Sequence, residues 1–271
     1  MGKVLVLTSG KGGVGKTTST AALGAALAQS GNTVAVVDFD VGLRNLDLVM
    51  GAERRVVFDL VDVIEDAAKL SQALVRDKRL DTLWLLPASQ TRDKNALTAD
   101  GVAHVIMELR QKFDWVICDS PAGIERGAML AMRHADAAVI VTNPEISSVR
   151  DSERIIALLD ASTEKAEQGE MVEKHLLITR YNAARVGKRE MLSIEDVLEI
   201  LSVPLLGVVP ESQEVLRASN IGAPVTLCNA SSAPARAYRD AMRRLKGEQL
   251  PMSIPSDPKH PLGRLFRRKA A

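Results

Sequence analysis

The stretch Ser9-Gly10-Lys11-Gly12-Gly13-Val14-Gly15-Lys16-Thr17-Thr18 decides how the rest of the chain is read. It fits the spacing G-x-x-x-x-G-K-[ST], in which a glycine-rich turn presents backbone N–H groups to a polyphosphate. Such a loop works only between a buried strand and the first turn of a helix. Val4-Leu5-Val6-Leu7 is an apolar run suited to a parallel strand covered on both faces, and Thr18 to Gln29 is rich in alanine and leucine before Gly31. Gly10, Gly12, Gly13 and Gly15 let successive N–H groups turn toward one anion without Cβ obstruction, and the helix start adds partial positive charge. Lys16 then serves as a point charge for the β- and γ-phosphates. The Thr17 hydroxyl serves as a ligand for the Mg2+ that bridges them, and Val14 and Thr18 complete the cradle.

Lys11 is a second cation inside the same loop. Most loop lysines are merely solvated. One placed in the phosphate cradle, beside Lys16, can instead act as the arginine finger does in other nucleotide hydrolases, by stabilising transition-state charge.

Outward from the loop, short β-branched or leucine-rich runs alternate with segments of helical period, the pattern of a doubly wound, mostly parallel sheet flanked by helices. Strands are expected at Val4 to Thr8, Thr33 to Asp38, Thr82 to Leu86, Trp115 to Asp119, Ala137 to Thr142, Leu176 to Thr179 and Leu205 to Val209. The charged stretch Glu164 to Lys174 reads as a helix-to-strand connection. One α/β domain is expected over residues 1–247, then a polar, proline-containing tether over 248–258 and an amphipathic helix over 259–271. At 271 residues, 46% hydrophobic and 25% charged, the chain is large enough for a sizeable core, and no run approaches 18 consecutive apolar residues. Direct entry into a strand at the N-terminus predicts a cytoplasmic protein. Cys118 sits in an apolar run and Cys228 is far from it, so neither a disulfide framework nor a metal motif is indicated.

Ligands of doubly wound sheets bind beyond the carboxyl ends of the strands, where two carboxylate motifs fall. One is Val36-Val37-Asp38-Phe39-Asp40 and the other is Val116-Ile117-Cys118-Asp119-Ser120-Pro121-Ala122-Gly123. Asp119 is placed to hold Mg2+, Asp38 to assist there, and Asp40 to orient an attacking water; Gly123 suits a switch loop near the γ-phosphate. A lone carboxylate at a strand end is as readily a cap or turn residue. The phosphate loop is what tips these toward chemistry.

Taken together, the loop signature K-G-G-x-G-K-[ST] and the stretches Asp38 to Met50, Pro87 to Lys94, Cys118 to Glu125, Thr142 to Asp151, Thr179 to Asn182, Met191 to Leu201 and Gly207 to Asn220 resemble the ParA/MinD family of ATPases with a deviant Walker A loop, in its cell-division branch. The resemblance covers nearly the whole chain. It implies ATP and Mg2+ as ligands, and a homodimer that sandwiches two ATP molecules, in which Lys11 reaches the partner's nucleotide. It also implies an adenine site around Arg180, Asn182, Pro210 and Glu211, and a dimer and partner surface near Ser148, Arg150 and Asp151. The partners implied are a division inhibitor, MinC, recruited to the inner membrane, and a topological factor, MinE, that stimulates hydrolysis. A flagellar-number regulator of the same type is the alternative. A partition ATPase ranks behind it, because residues 1–257 carry 30 basic against 34 acidic residues and no specific nucleic acid is expected. A nitrogenase-type reductase would need surface cysteines around a shared cluster.

The last fourteen residues hold five basic residues and no acidic one. On a helix Leu262, Leu265 and Phe266 share one face, with Arg264, Arg267 and Arg268 available to meet anionic headgroups. By itself this is either a disordered basic tail or a surface-binding helix; the family's C-terminal membrane-targeting helix favours the second. Each buried apolar side chain is worth at most about 1.5–3 kcal/mol and each basic residue about 1 kcal/mol. The cost of folding a lone helix of roughly eleven residues opposes this, so one copy binds weakly. Two tethered copies gain roughly 10²–10⁴ in avidity, which lets dimerisation control membrane residence, peripheral and reversible.

Overall fold

The computed structural model describes residues 1–255. The expected helix over 259–271, with Leu262, Arg264, Leu265, Phe266, Arg267 and Arg268, lies outside the described residues. In chain order the elements are β1 (Lys3–Thr8), α1 (Lys16–Gln29), β2 (Val34–Asp38), α2 (Leu46–Met50), α3 (Leu60–Ile64), α4 (Leu70–Ala73), β3 (Val75–Arg76), β4 (Leu83–Leu86), α5 (Ala99–Lys112), β5 (Trp115–Asp119) and α6 (Arg126–Arg133). There follow β6 (Ala137–Thr142), α7 (Ile146–Ser162), α8 (Glu164–Glu167), β7 (Glu173–Tyr181), α9 (Ala183–Gly187), α10 (Ile194–Leu201), β8 (Leu205–Pro210), α11 (Gln213–Asn220), α12 (Val225–Cys228) and α13 (Ala233–Leu245).

The strands form one sheet in the order β3-β4-β2-β5-β1-β6-β7-β8. All seven expected strands are present and pair in parallel. β3, a two-residue strand antiparallel to β4 at the edge, was not expected, being too short to carry a period. From β1 the chain moves to one side for β2 and β4, returns to place β5 against β1, then crosses to the other side for β6. The order therefore reverses at β1, which puts the phosphate loop at the topological switch point where such sheets bind ligands.

Alternation along the strands splits the core into two layers. Val4, Val6, Val116 and Cys118 pack with the layer that includes α5 and α7, whereas Leu5, Leu7, Trp115 and Ile117 pack with the α1 and α13 layer. Both faces are covered, so the strands read as continuous apolar runs. Burial raises the Cys118 thiol far above its usual range, which suits a packing residue and not a reactive one.

At the far end of the sheet, Arg244 on α13 donates from Nη1 to the Leu206 carbonyl (2.8 Å) and from Nη2 to the Pro251 carbonyl (2.6 Å). These bonds start the C-terminal segment beside the first residues of β8, on the sheet edge opposite the phosphate loop.

Candidate nucleotide site

The loop leaves β1 and turns back into α1 through two left-handed residues, Gly13 (φ 79°) and Gly15 (φ 90°), the second standing immediately before the helix. A side chain would strain either position. Gly10 is needed for a different reason. A Cβ there would lie 2.3 Å from the Asp151 carbonyl oxygen, because α7 packs directly on the start of the loop. Around Gly12 and Gly13 no atom stands within 4 Å of a Cβ position, so this side of the loop opens outward.

Beneath the loop lies a buried polar cluster. Lys16 Nζ pairs with Asp119 Oδ1 at 3.3 Å, with both side chains almost wholly buried, and Thr20 Oγ1 donates to the same oxygen at 2.9 Å. Asp38 and Asp119 are register partners on adjacent strands β2 and β5. Asp38 accepts from the backbone N–H of Asp40 (2.9 Å) and of Leu46 (3.2 Å). Burial, then the negative charge of Asp119, push the Asp38 carboxyl up to about 7. Asp119 Oδ2 is buried with no hydrogen-bond partner among the described residues. Two carboxylates side by side, one with an orphaned oxygen and one raised by burial and then by its neighbour's charge, form an oxygen donor set that a hard cation would satisfy. The residues fit the expected Mg2+, with Thr17 on the wall of the cavity above.

That cavity, about 640 Å³, is lined by Lys11, Gly12, Gly13, Gly15, Lys16, Thr17, Thr18 and Asp40, and on its outer side by Asn45, Leu48 and Leu216. A smaller one of about 290 Å³ adjoins it, lined by Val14, Thr18, Arg180, Pro210 and Glu211, with Tyr238 at its wall. Arg180 is held left-handed (φ 52°), an uncommon conformation for a non-glycine residue. Tyr238 is fully buried, shares a 3.0 Å hydrogen bond with Ser19, and has its hydroxyl pushed up to about 12 by burial. Asn182 does not line either cavity. It caps α9 through Oδ1 and donates to Glu211 Oε2 at 3.1 Å, so it touches the wall of the smaller cavity through Glu211.

Lys11 sits apart from the buried cluster. Its Nζ meets Glu145 Oε2 at 3.3 Å and Ser147 Oγ at 3.0 Å, about 40% exposed on both sides of the ion pair. Sequence reasoning missed Glu145, Ser147 and Thr20. Thr20 is the last of four consecutive hydroxyl residues, Thr17-Thr18-Ser19-Thr20, and only its place one turn after Lys16 sets it apart. Ser148, expected on a partner surface, is instead buried, and its hydroxyl is 2.8 Å from Thr142 Oγ1. Ser148, Ser152, Ile155 and Leu159 repeat at helical spacing on the buried face of α7, a stripe visible in the sequence. Arg150 is exposed and Asp151 half-buried, following the exposed Ile146 and Ser147 in the first turn of α7.

A strand, glycine loop and helix at the switch point, with a buried lysine and paired strand-end carboxylates, define a P-loop nucleotide-binding protein. The model of the CobQ/CobB/MinD/ParA nucleotide binding domain matches residues 5–225. The septum site-determining protein MinD of Neisseria meningitidis serogroup B is 58% identical over 255 residues, covering 93% of this chain and 94% of that protein. Among solved structures, the MinC:MinD cell division protein complex of Aquifex aeolicus matches at 39% identity with a TM-score of 0.84, covering 94% of this chain and 100% of that one. The MinD of Pyrococcus horikoshii complexed with Mg-ADP matches at 30% identity with a TM-score of 0.80, over 90% and 96% of the two chains. The chain belongs to the MinD family of septum site-determining ATPases, within the CobQ/CobB/MinD/ParA nucleotide-binding domains. Its function is division-site placement, and the flagellar and partition alternatives are not favoured.

Proposed function

We propose that this ATPase works as a nucleotide-gated membrane switch: ATP binding pairs two copies, pairing holds them on the anionic inner membrane, and hydrolysis releases them to the cytoplasm. One observation carries the reading. A single loop presents one lysine buried against a carboxylate and another at an open rim, where a second subunit can approach. Thr17, Asp38 and Asp119 would hold Mg2+, which would supply charge neutralisation at the phosphates. Lys16 leaves Asp119 for the phosphates, and the loop N–H groups hold the oxygens in place. Asp40, on the cavity wall, orients the attacking water. Lys11 exchanges its exposed contacts with Glu145 and Ser147 for the partner's nucleotide, so that the site is complete only in the dimer.

The Mg-ADP complex of the Pyrococcus protein supports the ligand, and the Aquifex MinC:MinD complex supports MinC as a partner of this chain. Among the described residues no helix is long and apolar enough to cross a membrane. Attachment is assigned to Leu262, Leu265 and Phe266 with Arg264, Arg267 and Arg268, an apolar and basic pattern suited to an anionic surface. MinE as the stimulator of hydrolysis follows from family membership, and Arg150 and Asp151 on the exposed start of α7 are the partner-facing residues proposed here.

Co-sedimentation with anionic vesicles in ATP and in ADP tests the switch. The full chain is expected to pellet with ATP and stay in solution with ADP, and Phe266→Glu is expected to abolish pelleting while leaving ATP-dependent dimerisation intact. Equal pelleting of wild type in both nucleotides, or of Phe266→Glu in ATP, overturns the membrane part of the reading.

A further inference from the structure

On the outer side of the nucleotide cavity two helices face each other: α2, whose Leu48 and Val49 line it, and α11, whose Leu216 and Ser219 line it. Their far ends meet at two glycines. A Cβ on Gly51 would lie 2.4 Å from the Gly222 carbonyl oxygen, and one on Gly222 would lie 2.7 Å from Gly51 Cα. Both glycines are left-handed, at φ 63° and 65°. No side chain fits between them.

Across this junction lies Arg79, from the turn between β3 and β4. Its Nη2 donates to the Met50 carbonyl at the end of α2 (2.8 Å), and its Nη1 donates to the Gly222 carbonyl (3.1 Å). The guanidinium is itself aimed by Asp77, whose side chain is buried and accepts from Arg79 Nη2 (2.9 Å) and from the backbone N–H groups of Arg79 (2.7 Å) and Leu80 (3.2 Å). These bonds hold the Asp77 carboxyl below its usual range against the opposing effect of burial. The other end of α2 is tied to the carboxylate cluster by the bond from Leu46 N–H to Asp38.

We infer that Arg79 is a positioning residue for the ATPase, a planar fork that locks α11 on the adenine side to α2 and hence to the Asp38–Asp40 segment. This rests on the ATPase reading and adds a coupling to it. Nucleotide occupying the adenine side then sets the position of the segment that carries Asp38 and Asp40. Only a guanidinium presents two N–H groups at fixed spacing to two carbonyls; a lysine keeps the Asp77 ion pair and loses the bridge.

The test uses the full chain with ADP and Mg2+ in calorimetric titrations, steady-state ATPase assays with anionic vesicles, and thermal melting. Arg79→Lys is expected to melt near wild type yet to weaken ADP binding roughly 10-fold and to lower kcat as well as raise KM, because binding and alignment are both uncoupled. Gly222→Ala, which keeps Arg79 but wedges the junction, is expected to melt below wild type and to change ADP affinity, KM and kcat in the same direction as Arg79→Lys. If both variants lose only thermal stability, with ADP affinity, KM and kcat unchanged, the clamp is structural and the inference is overturned. If wild type itself fails to bind ADP, the ATPase reading fails instead.

Discussion

The inner and outer halves of the phosphate loop are built on opposite principles. On the inner side Lys16 and Thr20 both bond Asp119, Asp38 lies beside Asp119 on the next strand, all four are buried, and their geometry is complete within one chain. On the outer side Gly12 and Gly13 face open space and Lys11 makes only half-exposed contacts with Glu145 and Ser147. Charges in a dry interior interact strongly and cannot be rearranged cheaply, whereas an exposed ion pair is worth about 0–1 kcal/mol and is given up readily. The inner half is thus suited to holding a nucleotide, and the outer half to sensing whether a second subunit has arrived.

The sharpest way to break this contrast is Lys11→Ala. Because its contacts in one chain are weak, ADP affinity is expected to stay within about 3-fold of wild type. Hydrolysis activated by dimerisation should fall by roughly 10³, the scale of a lost arginine finger. Paired measurements of ADP binding and vesicle-stimulated turnover decide it, and a loss of binding as large as the loss of turnover would erase the distinction between the halves. Lys16→Ala should do the reverse, costing nucleotide affinity on the order of 10² or more and lowering the stability of the nucleotide-free protein by about 3 kcal/mol, since Asp119 is left buried beside Asp38. Titration calorimetry and denaturant unfolding read the two effects.

A smaller effect sharpens the inner half alone. With its carboxyl raised to about 7, Asp38 keeps its proton in the folded chain at pH values where the unfolded chain has lost it. Its contribution to stability is therefore full below about pH 4 and is lost as pH rises to about 7. In the nucleotide-free protein Asp38→Asn is expected to remove that fall, a difference of a few degrees in Tm between pH 5 and pH 8 relative to wild type. Equal slopes in the two proteins would mean that neither burial nor Asp119 raises the Asp38 carboxyl.

The phosphate loop, the sheet and the two strand-end carboxylates were legible because each is a short-range pattern: an apolar run, a glycine spacing, a carboxylate where a strand stops. Lys11's contacts were not. Glu145 lies 134 residues from Lys11 and is brought close only because β6 pairs with β1, so that the turn after β6 opens beside the loop. The burial of Ser148 is legible from the spacing of the buried face of α7, although the family resemblance implies a surface position for it. Arg79 had no signal at all, since an arginine in a charged turn looks like any solvated residue until the fold delivers two carbonyls to it.

By itself, then, the sequence determined the glycine loop between strand and helix and which strands form the sheet around it, because strand burial, backbone freedom at glycine and the charge of a helix start are local properties. Tertiary structure alone decided which lysine is buried and which stands at a rim, which carboxylate is pressed against another, and how α2 and α11 are joined. Those outcomes depend on desolvation and on through-space distances between segments far apart in the chain, and only the assembled sheet sets these.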